Sequence, residues 1–145
     1  MATTKVLARG WKVEIGTQIA TPVYTIIKGL NSLTFSNDKS DTETTDFDSN
    51  GRAEHIVTER SAEVSCEGYF LEDIATKARD AGQQAVEAAA QSVGLTSLYP
   101  IRITSPGGTV KTFQASVNVG DVGGGNNDAT SWGATFTVSG AITVA

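Results

Sequence analysis

The 145-residue sequence has little cysteine, histidine and basic charge, and it has no long apolar run. The single cysteine, Cys66, excludes a disulfide framework within the chain and favours a reducing compartment. No stretch approaches about 18 consecutive apolar residues, and residues 1–10 contain no apolar signal-peptide core. We therefore expect neither a membrane span nor a secretion signal.

Acidic side chains outnumber basic ones, 16 to 11, which gives a formal net charge of −5. This balance argues against tight, sequence-independent binding of duplex nucleic acid, which needs clustered lysine and arginine. It does not exclude a nucleic acid that slides past without sticking, because like charges repel. At this length we predict one domain, residues 1–145, that buries roughly two thirds of its unfolded surface.

The sequence also lacks the patterns of common catalytic and metal sites. His55 is the only histidine and no serine or cysteine motif accompanies it, which favours a structural histidine over a general base. Residues 46–51 fit the first half of a calcium loop, but Val57 stands where the twelfth position needs glutamate. We therefore predict no catalytic residue, no metal site and no cofactor.

Alternating apolar and polar residues dominate the rest of the chain and predict strands. Residues 61–70 put Val64 and Cys66 on one face, and residues 132–144 keep the same period to the C-terminal end. Residues 73–93 are the one good helix candidate, with an alanine-rich apolar face. We predict a mostly β (α+β) fold, a β-sandwich or half-open barrel of about eight strands with one flanking helix.

An acidic stretch at residues 36–51, SNDKSDTETTDFDSNG, separates two predicted strands. It is longer than a hairpin needs, and such loops are usually functional or disordered. We predict a long inter-strand loop that contacts a partner, and the favoured partner is another copy of the chain. The predicted contact residues are Asp38, Lys39, Asp41, Glu43, Asp46, Phe47 and Asp48. Residues 1–10 are small and polar and indicate an N-terminal arm or a disordered end.

The final predicted strand is too long to remain a free edge, because an exposed edge of this kind pairs with another chain. We therefore predict that it forms a sheet edge between subunits, through Trp132, Phe136, Val138 and Ile142. The acidic loop would need a complementary basic patch on the neighbouring subunit. The candidate basic residues are Lys5, Arg9, Lys12, Lys28, Lys77, Arg79, Arg102 and Lys111.

The order of these segments resembles the major tail tube protein family of long-tailed (siphovirus-type) bacteriophages. The resemblance is carried by SLTFSNDKSDTETTDFDSNGRAEH, TERSAEVSCEGYFLED, RDAGQQAVEAAAQSVG, ITSPGGTVKTF and GGGNNDATSWGATFTVSGAITV. It extends over nearly the whole chain. The order of acidic loop, helix, turn and final strand is more specific than any one of these motifs.

The resemblance implies a structural virion protein, not an enzyme, that assembles into hexameric rings stacked as a hollow tube. Genomic DNA would leave the capsid through this tube without specific binding, and no membrane would be involved. The implied partners are further copies of the chain and the tail tip, tape measure and tail terminator proteins. The implied location is the virion tail, assembled in the host bacterial cytoplasm. In such proteins the loop that matches residues 36–51 contacts the adjacent ring.

Two alternatives remain open from the sequence. One is the inner tube of a contractile tail or secretion device, in which a sheath would surround a similar subunit. The other is a monomeric β-sandwich that binds carbohydrate or calcium. A sheath gene beside this one would favour the first, and thermal stabilisation by calcium or sugar would favour the second.

Overall fold

A computed structural model describes residues 3–145, which form one antiparallel sheet of seven strands and one α-helix. The strands are β1 (Lys12–Gly16), β2 (Tyr24–Ile26), β3 (Leu30–Glu43), β4 (His55–Tyr69), β5 (Leu98–Thr104), β6 (Val110–Val119) and β7 (Ser131–Val144). Their order across the sheet is β2-β1-β5-β6-β7-β4-β3. The predicted mostly β fold with one flanking helix is confirmed, as an open sheet with seven strands where about eight were predicted.

The start of the predicted N-terminal arm, Met1 and Ala2, lies outside the described residues. Residues 3–7 are irregular and exposed, and Ala8–Gly10 form one turn of 3-10 helix before β1. Gly10 packs so closely on Pro106 that an added Cβ atom would lie 2.8 Å from the proline ring. The segment is therefore anchored where it enters the sheet, and its role as an arm remains a prediction.

The two ends of the sheet carry different features. Between neighbouring strands, the edge where β1, β4 and β6 finish and β2, β3, β5 and β7 begin is here called the upper end. The sheet curls, because residues 27–29 alone connect the lower end of β2 to the upper end of β3. The upper-end loops are residues 17–23, 70–80, 93–97 and 120–130. The opposite, lower end carries the β5–β6 turn and the continuation of β3 and β4 beyond the rest of the sheet.

The core is built from one face of the long strands, because residues paired across neighbouring strands share a face of the sheet. Two rows of buried or half-buried apolar residues cross it, Ile15-Ile101-Phe113 and Phe35-Val64-Phe136-Val117. Cys66 lies in the same core, and burial raises the pKa of its thiol to about 11. The single cysteine is therefore an inert packing residue.

The structure corrects the prediction that the final strand is an unpaired edge. β7 lies between β4 and β6, where Phe136 is paired on two sides and Trp132 is paired with Gly68 of β4, and both side chains are buried. The pairing with β4 ends at Thr137, so Val138 and Ile142 lie where β7 keeps only β6 as a neighbour. Apolar alternation reports a buried face, but it does not distinguish a central strand from an edge strand.

The helix α1 (Ala81–Ala89) is shorter than the predicted span of residues 73–93. Asp80 caps its N-terminus by accepting a hydrogen bond from the Gln83 N–H group at 3.1 Å. The preceding residues form a separate turn, in which the Asp73 carboxylate accepts backbone N–H bonds and Lys77 has a positive φ of 62°. This turn interrupts the apolar period, and Ile74 is consequently 96% exposed.

The helix packs mainly against β6, β2 and β1. Gly82 faces the chain after β2 so closely that a Cβ atom would lie 2.2 Å from the Ile26 carbonyl oxygen. Val86 and Ala89 are buried, as the apolar spacing indicates. Among residues 3–145, no helix has the length and apolar character needed to cross a membrane.

Candidate assembly surface

The first half of the predicted long loop, residues 36–43, is strand and not loop. β3 continues to Glu43 and β4 starts at His55, so the connecting turn is confined to residues 44–54. The pairing extends to Glu43↔His55. The β3 segment at residues 36–43 escaped prediction because it carries polar side chains on both faces, and no apolar face marks its period.

Together the two strand ends and their turn form a two-stranded ribbon, here called the hairpin arm (residues 36–62). Beyond the pair Glu63↔Thr137, β4 has no neighbour except β3 among the described residues. Except for Ser49 and the half-buried Ala62, the arm's residues are exposed. An isolated two-stranded hairpin is only marginally stable in water, so contact with another surface would stabilise this arm.

The arm presents two different faces, and the predicted contact residues are divided between them. Lys39, Asp41 and Glu43 lie on one face, where the Lys39 ammonium is 3.6 Å from the Asp41 carboxylate. The His55 imidazole lies 3.9 Å from the same carboxylate. The other face carries Asp38, and a register shift after Ser40 marks a bulge in the ribbon.

Two apolar contact candidates on the arm strands were not predicted from the sequence. Ile56 is 60% exposed and pairs with Thr42, while Val57 pairs with Asp41 and therefore lies on the opposite face. The sequence does not report exposure, so Ile56 and Val57 became contact candidates only once the pairing of the two strands was known.

The tip of the arm is a folded turn. The Asp46 carboxylate accepts hydrogen bonds from the Asp48 N–H group at 3.0 Å and from the Ser49 hydroxyl at 3.1 Å. These bonds cap a single turn of 3-10 helix, Phe47–Ser49, and Asn50 follows with a positive φ of 54°. Phe47 is fully exposed on this turn. The tip therefore presents an aromatic ring on an ordered support.

Residues 46–51 resemble the first half of a calcium loop in sequence, but the turn that they form is different. The Asp46 carboxylate is occupied by the cap, and residues 44–54 connect two strands where a calcium loop of this type connects two helices. Among residues 3–145, no group of three or more metal-ligating side chains is assembled.

Two of the candidate basic residues are already paired within the subunit. Arg79 makes a bidentate contact with Glu87, with both distances 2.9 Å, and its guanidinium lies 3.9 Å from the Phe70 ring centre. Arg102 binds Glu14 at 2.6 Å. These hydrogen bonds raise the pKa of each arginine and lower the pKa of Glu87. The two arginines stabilise the subunit and are poorly available to an acidic arm.

An open sheet with a projecting, uncovered two-stranded arm is typical of a subunit that pairs with other chains through its surface. The sequence model of the phage tail tube protein family matches residues 11–144, and the chain belongs to this family. No curated protein matches the chain by sequence.

Solved structures of tubular particles share the fold. A chain from the tail of an empty gene transfer agent (GTA) particle, computed with C6 symmetry, superposes with a TM-score of 0.76 at 16% identity, covering 97% of this chain and 99% of that chain. A chain from the sheath/tube terminator of PVC, an extracellular contractile injection system, gives 0.62 at 12% identity, with coverage of 100% and 99%. The baseplate of the anti-feeding prophage gives 0.59 at 13% identity, with coverage of 100% and 97%.

Proposed function

We propose that the chain is the tail tube subunit of a long-tailed phage, in which hexameric rings stack into a hollow tube. Family membership supports this role, and the GTA tail of the same fold was computed with C6 symmetry. The observation that carries the proposal is the hairpin arm, since both its faces are exposed and it projects beyond the sheet at one end. In a stack of identical rings, the arm of each subunit would have an adjacent ring to contact.

The proposed activity is structural, with no catalytic step. The tube would lie in the virion tail, assemble in the host cytoplasm and meet the tail tip, tape measure and tail terminator proteins. The net charge of −5 suits a wall that DNA slides past, because like charges repel the phosphate backbone. The proposed sheet contact within a ring involves Val138 and Ile142, where β7 has lost β4 as a neighbour.

The test of this function is to shorten the hairpin arm. Replacing residues 41–58 by Asn-Gly joins Ser40 to its partner Glu59 through a two-residue turn. The variant should keep a folded core, because no buried core residue lies in the removed segment. It should stay in rings or monomers where wild-type protein forms tubes, as seen by electron microscopy. Gln91→Ala, an exposed change outside the arm, serves as the control.

A second candidate is the inner tube of a contractile tail or injection device. The superposition on the PVC chain favours it, since that particle is a contractile system. Both candidates predict tubes from purified protein. A sheath that binds these tubes specifically would support the second candidate, and bare tubes in intact particles would support the first. A permanent monomer that is stabilised by calcium or sugar would contradict both.

A further inference from the structure

Asn50 and Gly51 form an Asn-Gly pair at the exposed tip of the hairpin arm. Asparagine is one of the thermolabile residues of proteins. Its side-chain amide is lost most readily before glycine, because glycine has no side chain to hinder its backbone nitrogen. The pair occurs once in the sequence, since the other asparagines precede serine, aspartate, valine or a second asparagine: Asn31, Asn37, Asn118, Asn126 and Asn127.

The surroundings of the pair leave its reacting atoms open to solvent. Both residues are exposed, and a Cβ atom added at Gly51 would have no neighbour within 4 Å. In the part of the chain that the structure describes, neither the Asn50 carboxamide nor the Gly51 N–H group takes part in a hydrogen bond. The nearby Asp46 carboxylate is engaged elsewhere, because the Asp48 N–H group and the Ser49 hydroxyl donate to it.

The pair occupies the two central positions of a turn that is held by few contacts. Asn50 and Gly51 have positive φ angles of 54° and 77°, as a type I′ turn requires. One backbone hydrogen bond closes the turn, from the Arg52 N–H group to the Ser49 carbonyl oxygen at 3.1 Å. For the Gly51 nitrogen to reach the side chain of Asn50, the ψ angle of Asn50 must rotate from 42°. A single exposed hydrogen bond contributes little net stability, so this rotation needs only local opening of the tip.

We propose that Asn50 is a self-modification site, which loses its side-chain amide in the unassembled subunit without an enzyme. The backbone nitrogen of Gly51 attacks the side-chain carbonyl carbon of Asn50 and forms a cyclic succinimide. The carbon–nitrogen bond of the amide breaks, and ammonia leaves with the proton that the Gly51 nitrogen gives up. Water then opens the ring at either carbonyl carbon, which leaves aspartate or isoaspartate at position 50.

Both products change the tip of the arm. Each adds a carboxylate near Asp46 and Asp48, and like charges this close repel each other. Isoaspartate also adds a carbon atom to the backbone between Ser49 and Arg52, so their hydrogen bond can no longer close the same turn. The consequence for assembly rests on the proposed tube function, in which the arm contacts the adjacent ring. Subunits that remain unassembled should therefore lose the ability to join a tube as they age.

The test of the site ages purified protein in mildly alkaline buffer, which favours loss of the Gly51 proton. Samples are digested at acidic pH, where the reaction is slow. Mass spectrometry detects the replacement of NH2 by OH, and an isoaspartate-specific methyltransferase labels the isoaspartate product. The unmodified peptide that contains Asn50 should be lost, while Asn126 and Asn127, which are also exposed, should stay intact. Modification of all three at one rate, or an intact Asn50 in folded protein while the urea-unfolded chain reacts, would overturn the proposal.

The consequence for assembly is tested with two matched variants. Asn50→Gly keeps the positive φ that the turn needs and has no side-chain amide to lose. Asn126→Gly makes the same replacement on the 120–130 loop and leaves the reactive pair intact. Aged wild-type protein and aged Asn126→Gly should form fewer tubes than when fresh, in proportion to the modified fraction, as counted by electron microscopy. Aged Asn50→Gly should form as many tubes as fresh protein of the same variant.

The outcomes separate this inference from the proposed function. Equal tube yields from modified and fresh wild-type protein would overturn the effect on assembly. Wild-type protein that never forms tubes, even when fresh, would overturn the proposed function, and the mass measurement would still decide whether Asn50 is a modification site.

Discussion

Gln83 is a fully buried polar residue whose side chain joins three segments of the chain. Its Oε1 atom accepts a hydrogen bond from the Leu71 N–H group at 3.2 Å. Its amide nitrogen donates to the carbonyl oxygens of Lys28 at 3.1 Å and Tyr69 at 2.8 Å. Lys28 and Leu71 lie outside the strands and Tyr69 is the last residue of β4, so this one side chain binds backbone groups at the margin of the sheet.

We predict that Gln83→Leu lowers the free energy of unfolding by about 3 kcal/mol, because three part-buried backbone groups lose their hydrogen-bond partner while the size of the side chain is nearly kept. Urea denaturation followed by circular dichroism measures the change. The control is Gln84→Leu at the next, exposed position of the helix, which should change stability by no more than about 0.5 kcal/mol. Equal effects of the two substitutions would contradict the role assigned to Gln83.

A second residue-scale prediction concerns Gly82, where a substitution that normally favours a helix should be harmful. Alanine is better than glycine inside a helix by about 1 kcal/mol. At Gly82, however, the added Cβ atom would lie 2.2 Å from the Ile26 carbonyl oxygen and 2.6 Å from the Ile27 Cα atom. We expect Gly82→Ala to lower the free energy of unfolding by about 1–3 kcal/mol, as overpacking does.

The matched control for Gly82 is Gly107→Ala in the β5–β6 turn, where the nearest atom to an added Cβ lies at 4.0 Å. This variant should be close to neutral in the same thermal or urea unfolding measurement. A stabilised Gly82→Ala protein would mean that the helix sits farther from the end of β2 than described. The sequence does not show which backbone segment packs against a given glycine. The need for glycine at position 82 therefore could not have been predicted.

At the scale of elements, the segment between β4 and α1 is held by one cluster of polar and aromatic contacts. Arg79 binds both oxygens of Glu87 and also donates to the Leu71 carbonyl oxygen at 3.3 Å. The Trp132 indole N–H group donates to the Glu87 carboxylate at 3.2 Å. The cluster therefore links the loop, the helix and β7, and it orients the 70–80 loop at the upper end.

The Glu87 carboxylate gives this cluster a predictable pH dependence. The hydrogen bond from Arg79 lowers its pKa from the ordinary value of 4.5, and the Trp132 indole adds to the effect. A lowered pKa in the folded protein contributes stability above pH 4.5, and that contribution is lost as the pH falls through the lower, folded value. Wild-type protein should therefore exceed Glu87→Gln in stability near neutral pH, and the difference should shrink below pH 4.5.

Unfolding free energies of the two proteins between neutral and acidic pH provide this measurement. Glu67→Gln is the control, since Glu67 is exposed and has no ion-pair partner among the described residues. Its difference from wild type should stay flat over the same range. A Glu87→Gln difference that is equally flat would show that the Arg79 pair contributes nothing to stability.

The elements that could be predicted from the sequence are those with an apolar face. Val64, Cys66, Trp132 and Phe136 alternate with polar residues and are buried. Residues 36–43 of the hairpin arm were predicted as a loop because this part of β3 has no buried face, and its pairing with β4 rests on backbone hydrogen bonds. The helix was predicted too long because Ile74 and Val93 match its period, although both are exposed on the turns that flank it.

At the scale of the whole molecule, the central position of β7 follows from the strand order. Alternation of apolar and polar residues is compatible with many strand orders, so the sequence did not reveal that β7 is central. The acidic composition suggested an electrostatic contact with a basic patch. Arg79 and Arg102 are paired internally and Lys111 lies 4.8 Å from the Phe35 ring centre, so these three candidates are engaged within the subunit. Contact between the arm and the other candidate basic residues stays a prediction.

Salt dependence distinguishes the two kinds of contact between rings. Ion pairs on a surface weaken as the Debye length falls from about 10 Å at 0.1 M to about 3 Å at 1 M salt. Apolar burial is not weakened by added salt, and screening also reduces the repulsion between subunits that each carry a net charge of −5.

If Phe47 is the anchor, the tube fraction of purified protein should hold or rise between about 0.05 and 0.5 M NaCl, over which screening of exposed charges becomes severe. Sedimentation of preassembled tubes after dilution into each buffer measures this fraction. Phe47→Ser should lower it at every salt concentration, whereas Asp48→Asn should affect it little, because Asp48 only flanks the ring. Tubes that dissolve in high salt and survive Phe47→Ser would instead establish the acidic side chains of the arm as the contact.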